Sequence, residues 1–361
     1  MFYELLYPLR HTFSVFNVFR YTSFRTICAI ISALLICFLV APYFIKKLKQ
    51  LQIGETIYKF GPKTHYVKKG TPTMGGLLVL FSLLLPSLLW ADIRSESVWI
   101  ILIATTLFGA IGLLDDYLKL KKRKHGLSVW EKFGLQTAAA LMIVGYLFFF
   151  SPMYKPFVSE VWVPFFKDAR PDIGFWYIPF AVFVIVGTSD AVNLTDGLDG
   201  LAIGPIIIAT AAYMVIAYLS GHFSFAKYLN IRFVRDASEL VVFCGAVIGA
   251  CLGFLWYNSY PAEIFLGNVG STAIGGMLGT IAIMTKHELI LPLIGGVFVI
   301  EALSVIIQVF LFRVRGKRVF KMAPLHHHFE ESGWREPKVI VRFWIIAIVF
   351  ALVSLSTLKL R

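Results

Sequence analysis

The sequence predicts an all-α, polytopic integral membrane protein with roughly ten transmembrane helices, forming a single domain over 1–361. Three observations predict it. The 361 residues are 58% hydrophobic and only 15% charged, with a mean hydropathy of +0.76, more apolar surface than a water-soluble fold of this length hides. Apolar runs of about 19 residues recur along the chain, each able to cross a hydrocarbon core of ~30 Å. The polar stretches between them reach only about 20–25 residues, too short for an independent soluble core. No fixed-period repeat, low-complexity tract or transporter-like inverted repeat divides the chain.

The spans follow in order. The first, 24–45, is too long for a signal-peptide core and lacks a small-x-small cleavage site, so it reads as a helix that stays. Lys46, Lys47, Lys49, Lys59, Lys63, Lys68 and Lys69 follow it. The second, 72–91, is entered through Lys68-Lys-Gly-Thr-Pro-Thr-Met-Gly-Gly76. The third, 97–114, is closed by Asp115-Asp116 and a basic loop with Lys119, Lys121, Lys122, Arg123 and Lys124. After the fourth, 131–151, the fifth (174–192) and sixth (200–220) flank Asp190, Asn193, Asp196 and Asp199. The seventh (237–257) and the short, Gly-rich eighth (269–285) flank Asn258, Phe265, Asn268 and Ser271. The ninth, 289–312, holds Pro292, Gly295 and Gly296, which predict a kink or break. Arg313, Arg315, Lys317, Arg318 and Lys321 follow it, then Met322-Ala-Pro-Leu-His-His-His328 and the tenth span, 339–358.

The basic loops follow the first, third and ninth spans and therefore share one side, the cytoplasm. Both termini are then periplasmic, and the outer connections 92–97 and 286–288 carry few basic residues. Every motif-bearing loop falls on the cytoplasmic face. The formal net charge of +13 does not point to nucleic acid, because no folded basic domain is left to bind it. Cys28, Cys37, Cys244 and Cys251 lie in apolar runs without C-x-x-C spacing and read as small buried hydrophobes.

Adjacent carboxylates at the mouth of a helix are costly beside hydrocarbon unless a cation or water holds them. Such hard oxygen ligands suit Mg²⁺, which takes one or two carboxylates plus substrate phosphates. Lys119, one turn on, adds a phosphate-binding cation; the plainer alternative is an acidic cap solvated by water. Asp196 and Asp199 are neighbours on one face if their segment turns helically; otherwise this is a Gly-rich turn with solvated acids. An EF-hand is excluded, since the bidentate Glu at the twelfth position is missing. Consecutive histidines on a helix diverge by about 100°, so one zinc ion does not take His326, His327 and His328 together. They read instead as imidazoles beside a phosphate or a metal-bound substrate, or as a solvated run in a basic loop. Glu301, an intramembrane carboxylate, requires a partner that the sequence does not name. Phe265 either stacks on a base or packs.

At these residues the chain resembles the phospho-N-acetylmuramoyl-pentapeptide-transferases of the polyprenyl-phosphate N-acetylhexosamine-1-phosphate transferase superfamily. The most specific stretches are Gly70–Gly76, Asp115–Lys119, Asn193–Gly200 and Met322–His328, and the resemblance spans the whole chain. It implies transfer of the phosphosugar from UDP-MurNAc-pentapeptide to undecaprenyl phosphate, giving lipid I and UMP, with Mg²⁺, in a homodimer in the bilayer of the bacterial inner membrane. By position, Asp115 and Asp116 match the acidic, metal-binding pair, Lys119 the adjacent cation, and His326 and His327 the catalytic-loop histidines. Lys68, Asn193, Asp196, Asn258 and Phe265 match the nucleotide-sugar pocket, to which Thr73, Asp199, Ser271 and His328 are added as substrate-binding positions. The family reads Asn where this chain has Asp190, and a metal-binding Asp where it has Asn268. An amide offers only a neutral carbonyl oxygen, so metal affinity falls unless Asp190 approaches the same ion as a compensating ligand. Since Mg²⁺ tolerates little error in ligand placement, impaired activity is expected. The competing readings are a sister enzyme using UDP-N-acetylglucosamine, a secondary transporter and a catalytically silent scaffold.

Overall fold

Each expected apolar run becomes a helix in the computed structural model, which describes residues 1–51, 70–122, 126–166 and 169–359. The helices are α1 (Thr22–Gln50), α2 (Gly76–Trp90), α3 (Glu96–Lys122), α4 (Val129–Gly145, continued by a π turn over Tyr146–Phe150), α5 (Tyr177–Thr195) and α6 (Ile203–Ser220). They continue as α7 (Ala237–Asn258), α8 (Gly267–Met284), α9 (Gly296–Arg315), the short α10 (Leu325–Glu330) and α11 (Glu336–Ser356). Among the described residues there is no strand, only an isolated bridge between Glu160 and Asp172. Among the described residues, eight helices, all of these except α2, α8 and α10, are long and apolar enough to cross a membrane. Of the other expected spans, α2 has 15 residues, and α8 is enclosed by the protein along nearly its whole length.

That enclosure makes α8 the centre of the bundle, packed chiefly against α3 and α5. Lipid tails are as apolar as leucine, so close backbone approach rather than a hydrophobic drive holds such helices together. Gly275 shows it: a Cβ there would lie 2.6 Å from the Ser189 Cα on α5. Local signals fix the helix ends. Ser128 and Glu131 form a reciprocal capping box at the start of α4. The break expected in the ninth span occurs at Gly295, where Leu291–Ile294 stops and α9 begins.

The structure corrects some sequence expectations. The third run does not stop at residue 114; α3 continues to Lys122, so Asp115 and Asp116 sit on the helix flank rather than at its mouth. The fifth run extends to Thr195, placing Asp190 and Asn193 on α5. The connection 286–288, expected on the outer side, is packed within the protein. Lys286 is buried, its Nζ donating to Val158 O, Tyr177 OH and Glu288 Oε1 at 2.8, 3.0 and 2.9 Å, and burial pulls its pKa below the usual lysine value.

Candidate active site

The acidic pair is buried, with Asp115 4% and Asp116 5% exposed, so each carboxylate needs donors. Asp115 Oδ1 accepts from Leu127 N at 2.8 Å, and Oδ2 lies 3.0 Å from Lys119 Nζ across one helical turn. Asp116 Oδ1 accepts from Asn268 Nδ2 at 2.8 Å, with Lys119 Nζ at 4.0 Å, and Oδ2 accepts from Val269 N at 3.1 Å. Lys119 thus spans both acids with a half-exposed ammonium.

The Gly70–Gly76 segment reaches the same place by backbone pairing. Phe265 N donates to Pro72 O at 2.9 Å, Gly75 N to Phe265 O at 2.8 Å and Gly76 N to Leu266 O at 2.7 Å. Between this segment and α3 sits Gly267, at φ +73, in the left-handed region where a side chain is strained. A Cβ there would fall 2.9 Å from Asp116 Oδ2 and 3.0 Å from Thr73 Oγ1. Thr73, Asp116 and Asn268 therefore line one recess.

Asp190 stands on another side of the cluster. Its Oδ1 accepts from Gln136 Nε2 at 3.0 Å, and that nitrogen also lies 3.3 Å from Ser189 Oγ. Lys132, one turn before Gln136 on α4, is half-buried and lies in the fields of Asp190, Asp115 and Asp116. Sequence reading missed both α4 residues. A lysine and a glutamine at i, i+4 near the start of an apolar run were the available signal. Among the described residues, no group of three or more His, Cys, Asp or Glu could hold a metal ion; Asp190 bonds to Gln136 while Asn268 bonds to Asp116.

The Asn193–Gly200 stretch is the Gly-rich turn, not a helical continuation. α5 ends at Thr195, and 196–202 forms turns, so the facing pair of acids expected from helical spacing does not form. Asp199 is 3% exposed. Its Oδ2 accepts from Ala262 N at 2.9 Å, and its own N–H donates to Glu336 Oε1 at 3.0 Å, fastening the turn to the 259–264 loop and to α11. Asn258, buried at the end of α7, donates to Ile264 O at 2.8 Å and leaves its Oδ1 without a partner. Phe265 is half-buried, as are Asn193 and Asp196. Ser271 is buried within α8, donating to Gly267 O at 2.9 Å. Lys68 lies outside the described residues, as do Lys59, Lys63, Lys69, Arg123 and Lys124.

The histidines diverge. His326 is fully buried on α10; its backbone N–H donates to Glu301 Oε1 at 3.2 Å, and its Nδ1 lies 3.2 Å from Glu301 Oε2. The partner of the intramembrane carboxylate is thus His326. His327 Nδ1 is 2.8 Å from Glu330 Oε2, and His328 Nδ1 accepts from Lys321 N at 3.1 Å.

Two kinds of comparison bear on this arrangement. The glycosyl transferase family 4 model matches residues 98–286, and signature 1 of phospho-N-acetylmuramoyl-pentapeptide-transferase matches residues 68–80. The chain is 55% identical over 363 residues to a phospho-N-acetylmuramoyl-pentapeptide-transferase of Desulforapulum autotrophicum. It is 53% identical over 363 residues to that of Pelobacter propionicus and 55% over 364 residues to that of Desulfatibacillum aliphaticivorans. All three matches cover 100% of both chains. With likeness of that extent, the chain belongs to the phospho-N-acetylmuramoyl-pentapeptide-transferase family.

Proposed function

We propose that this site transfers phospho-N-acetylmuramoyl-pentapeptide from UDP-MurNAc-pentapeptide to undecaprenyl phosphate, giving lipid I and UMP. The chain is a multi-pass protein of the bacterial inner membrane and a transferase. The observation that carries the reaction is the buried Asp115–Asp116 pair, bridged by Lys119 and walled by the Thr73 and Asn268 segments. Such a group of acids and cations suits a pyrophosphate donor meeting a phosphate acceptor, where positioning and charge neutralisation dominate.

The donor set fits Mg²⁺ held by Asp115 and Asp116 with substrate phosphate oxygens completing the shell; Asn268 adds only a neutral oxygen. An ion bound there supplies positive charge to the pyrophosphate under attack. The protein's own groups do the rest. Lys119, with its ammonium half in solvent, turns from Asp115 to the incoming phosphates. Asp115 Oδ2, which faces that lysine, then takes the acceptor phosphate's proton. Asp116 is less mobile, since both its oxygens are bonded to the start of α8. The acceptor oxygen attacks the β-phosphorus, the bond to the UMP oxygen breaks, and Lys132 screens the site from the α4 side. The half-buried Asn193, Asp196 and Phe265, and the unpartnered Asn258 Oδ1, border the nucleotide-sugar side. α9 exposes Leu303, Ile306, Ile307 and Phe310, an apolar face along which the acceptor's tail enters. We further propose one domain and a homodimer, which light scattering of the purified protein checks.

The test is UMP release and lipid I formation by the purified chain with both substrates and Mg²⁺. Turnover with UDP-N-acetylglucosamine in place of the muramoyl donor would assign the sister activity. No UMP release with either sugar would leave only a scaffold.

A further inference from the structure

Glu301 is fully buried on α9, in an otherwise apolar stretch, where an unpaired carboxylate is expensive. Its contacts are with one residue. The His326 backbone N–H donates to it at 3.2 Å, and His326 Nδ1 lies 3.2 Å from Oε2, within ion-pair range though off the line of a hydrogen bond. Among the described residues, neither ring nitrogen makes a hydrogen bond, and the far one, Nε2, is buried with no charged group beside it. It points at Gly197, in the turn between Asp196 and Leu198: a Cβ on Gly197 would sit 2.3 Å from it. A buried polar nitrogen left unpaired asks for an explanation, and a missing ligand atom supplies one.

We propose that Glu301 is a positioning residue that holds His326 Nδ1 and so presents Nε2, over the bare backbone of Gly197, to the phosphosugar donor. The inference rests on the reaction proposed above. The carboxylate fixes the docking of α10 on α9 through the backbone N–H, and its negative charge beside Nδ1 favours the tautomer that keeps the proton there. Nε2 is left as an acceptor facing the Asn193–Gly200 turn. This is the general arrangement of a ring nitrogen oriented by a third group. Gly197 gives the ring its room, since any side chain there pushes the imidazole aside.

The experiment compares Glu301→Gln and Glu301→Asp in the purified full-length protein, measuring kcat and KM for UDP-MurNAc-pentapeptide together with the melting temperature. Wild-type turnover is the control: its absence defeats the proposed reaction and not this inference. Gln keeps the size and an acceptor for the His326 N–H, but its amide donates to Nδ1 and reverses the tautomer. The expected result is a kcat lowered about tenfold or more, KM within about threefold, an unchanged melting temperature, and partial recovery with Asp, which keeps the charge. Gly197→Ala should lower kcat likewise. Wild-type kcat in Glu301→Gln, a loss carried by KM, or a loss matched by a lower melting temperature and not recovered by Asp overturns the assignment.

Discussion

Asn268 donates its amide proton to Asp116 Oδ1 at 2.8 Å, which is how an amide replaces a carboxylate beside an acid without a counter-ion. Asn268→Asp reverses this: like charges meet in a buried site unless a cation intervenes. The variant should need about tenfold less Mg²⁺ for half-maximal lipid I formation and should melt at a lower temperature in EDTA than the parent. Asp190→Asn should leave the Mg²⁺ requirement unchanged, because Asp190 is bonded to Gln136; a raised requirement would restore Asp190 as a metal ligand. Gly267→Ala tests the recess between them. Its left-handed φ costs about 1–2 kcal/mol with any side chain, and its Cβ would crowd Asp116. The variant should lose at least about tenfold in kcat/KM, and wild-type kinetics would remove Gly267 from the site. The acids were legible in the sequence because carboxylates beside hydrocarbon demand a reason. Lys132, Gln136 and the partner of Glu301 were not, because those contacts cross from one helix to the next, and hydropathy carries no register between helices.

At the scale of elements, hydropathy placed the helices but not their ends. The run expected to close at residue 114 continues through two acids and three lysines to Lys122, with Asp115 and Asp116 turned inward and Tyr117, Lys119 and Lys121 exposed. Acids paired with Asn268, Val269 and Lys119 do not end a helix as unpaired ones would. Conversely, helical spacing between Asp196 and Asp199 was overruled by the glycines after each acid, and by bonds from Ala262 and to Glu336 that hold the turn. The break in the ninth run was legible, because Pro292 and the paired glycines are local signals. The α5–α8 contact carries a prediction of its own. Gly275→Ala sets a Cβ 2.6 Å from the Ser189 Cα, and backbone there cannot give way as a flexible side chain would. Pushing α5 outward moves Asp190 and Asn193 with it. The variant should be destabilised by about 1–3 kcal/mol, seen in thermal unfolding, and its kcat/KM should fall although it touches no substrate. Full activity at normal stability would mean the helices have slack that the packing does not show.

Across the whole molecule, helix direction separates chemistry from anchoring. Asp115 and Asp116 near the end of α3, Asn193 at the end of α5, Asn258 at the end of α7 and Asn268 at the start of α8 gather at one end of the bundle. At the other end the starts of α1 and α7 meet the end of α2. There Arg25 makes a two-pronged ion pair with Glu239, at 2.7 and 2.6 Å, and donates to Trp90 O, while Glu239 also accepts from Asp92 N at 2.9 Å. Asp115 lies roughly 30 Å from that end along α3, at 1.5 Å per residue. The ends differ in what they do with charge: the site's Lys119 is half-exposed and movable, whereas Arg25 is 3% exposed and held at both terminal nitrogens. Removing one member of a buried pair strands the other. Arg25→Met should therefore lower stability by about 3 kcal/mol, read by thermal unfolding in detergent, while kcat per folded molecule stays at the parent value. Glu239→Gln, which keeps an acceptor for Asp92 N, should cost less. If Arg25→Met instead depressed kcat of the folded fraction, the two ends would be mechanically coupled, and the separation of anchoring from chemistry along the helix axes would not hold.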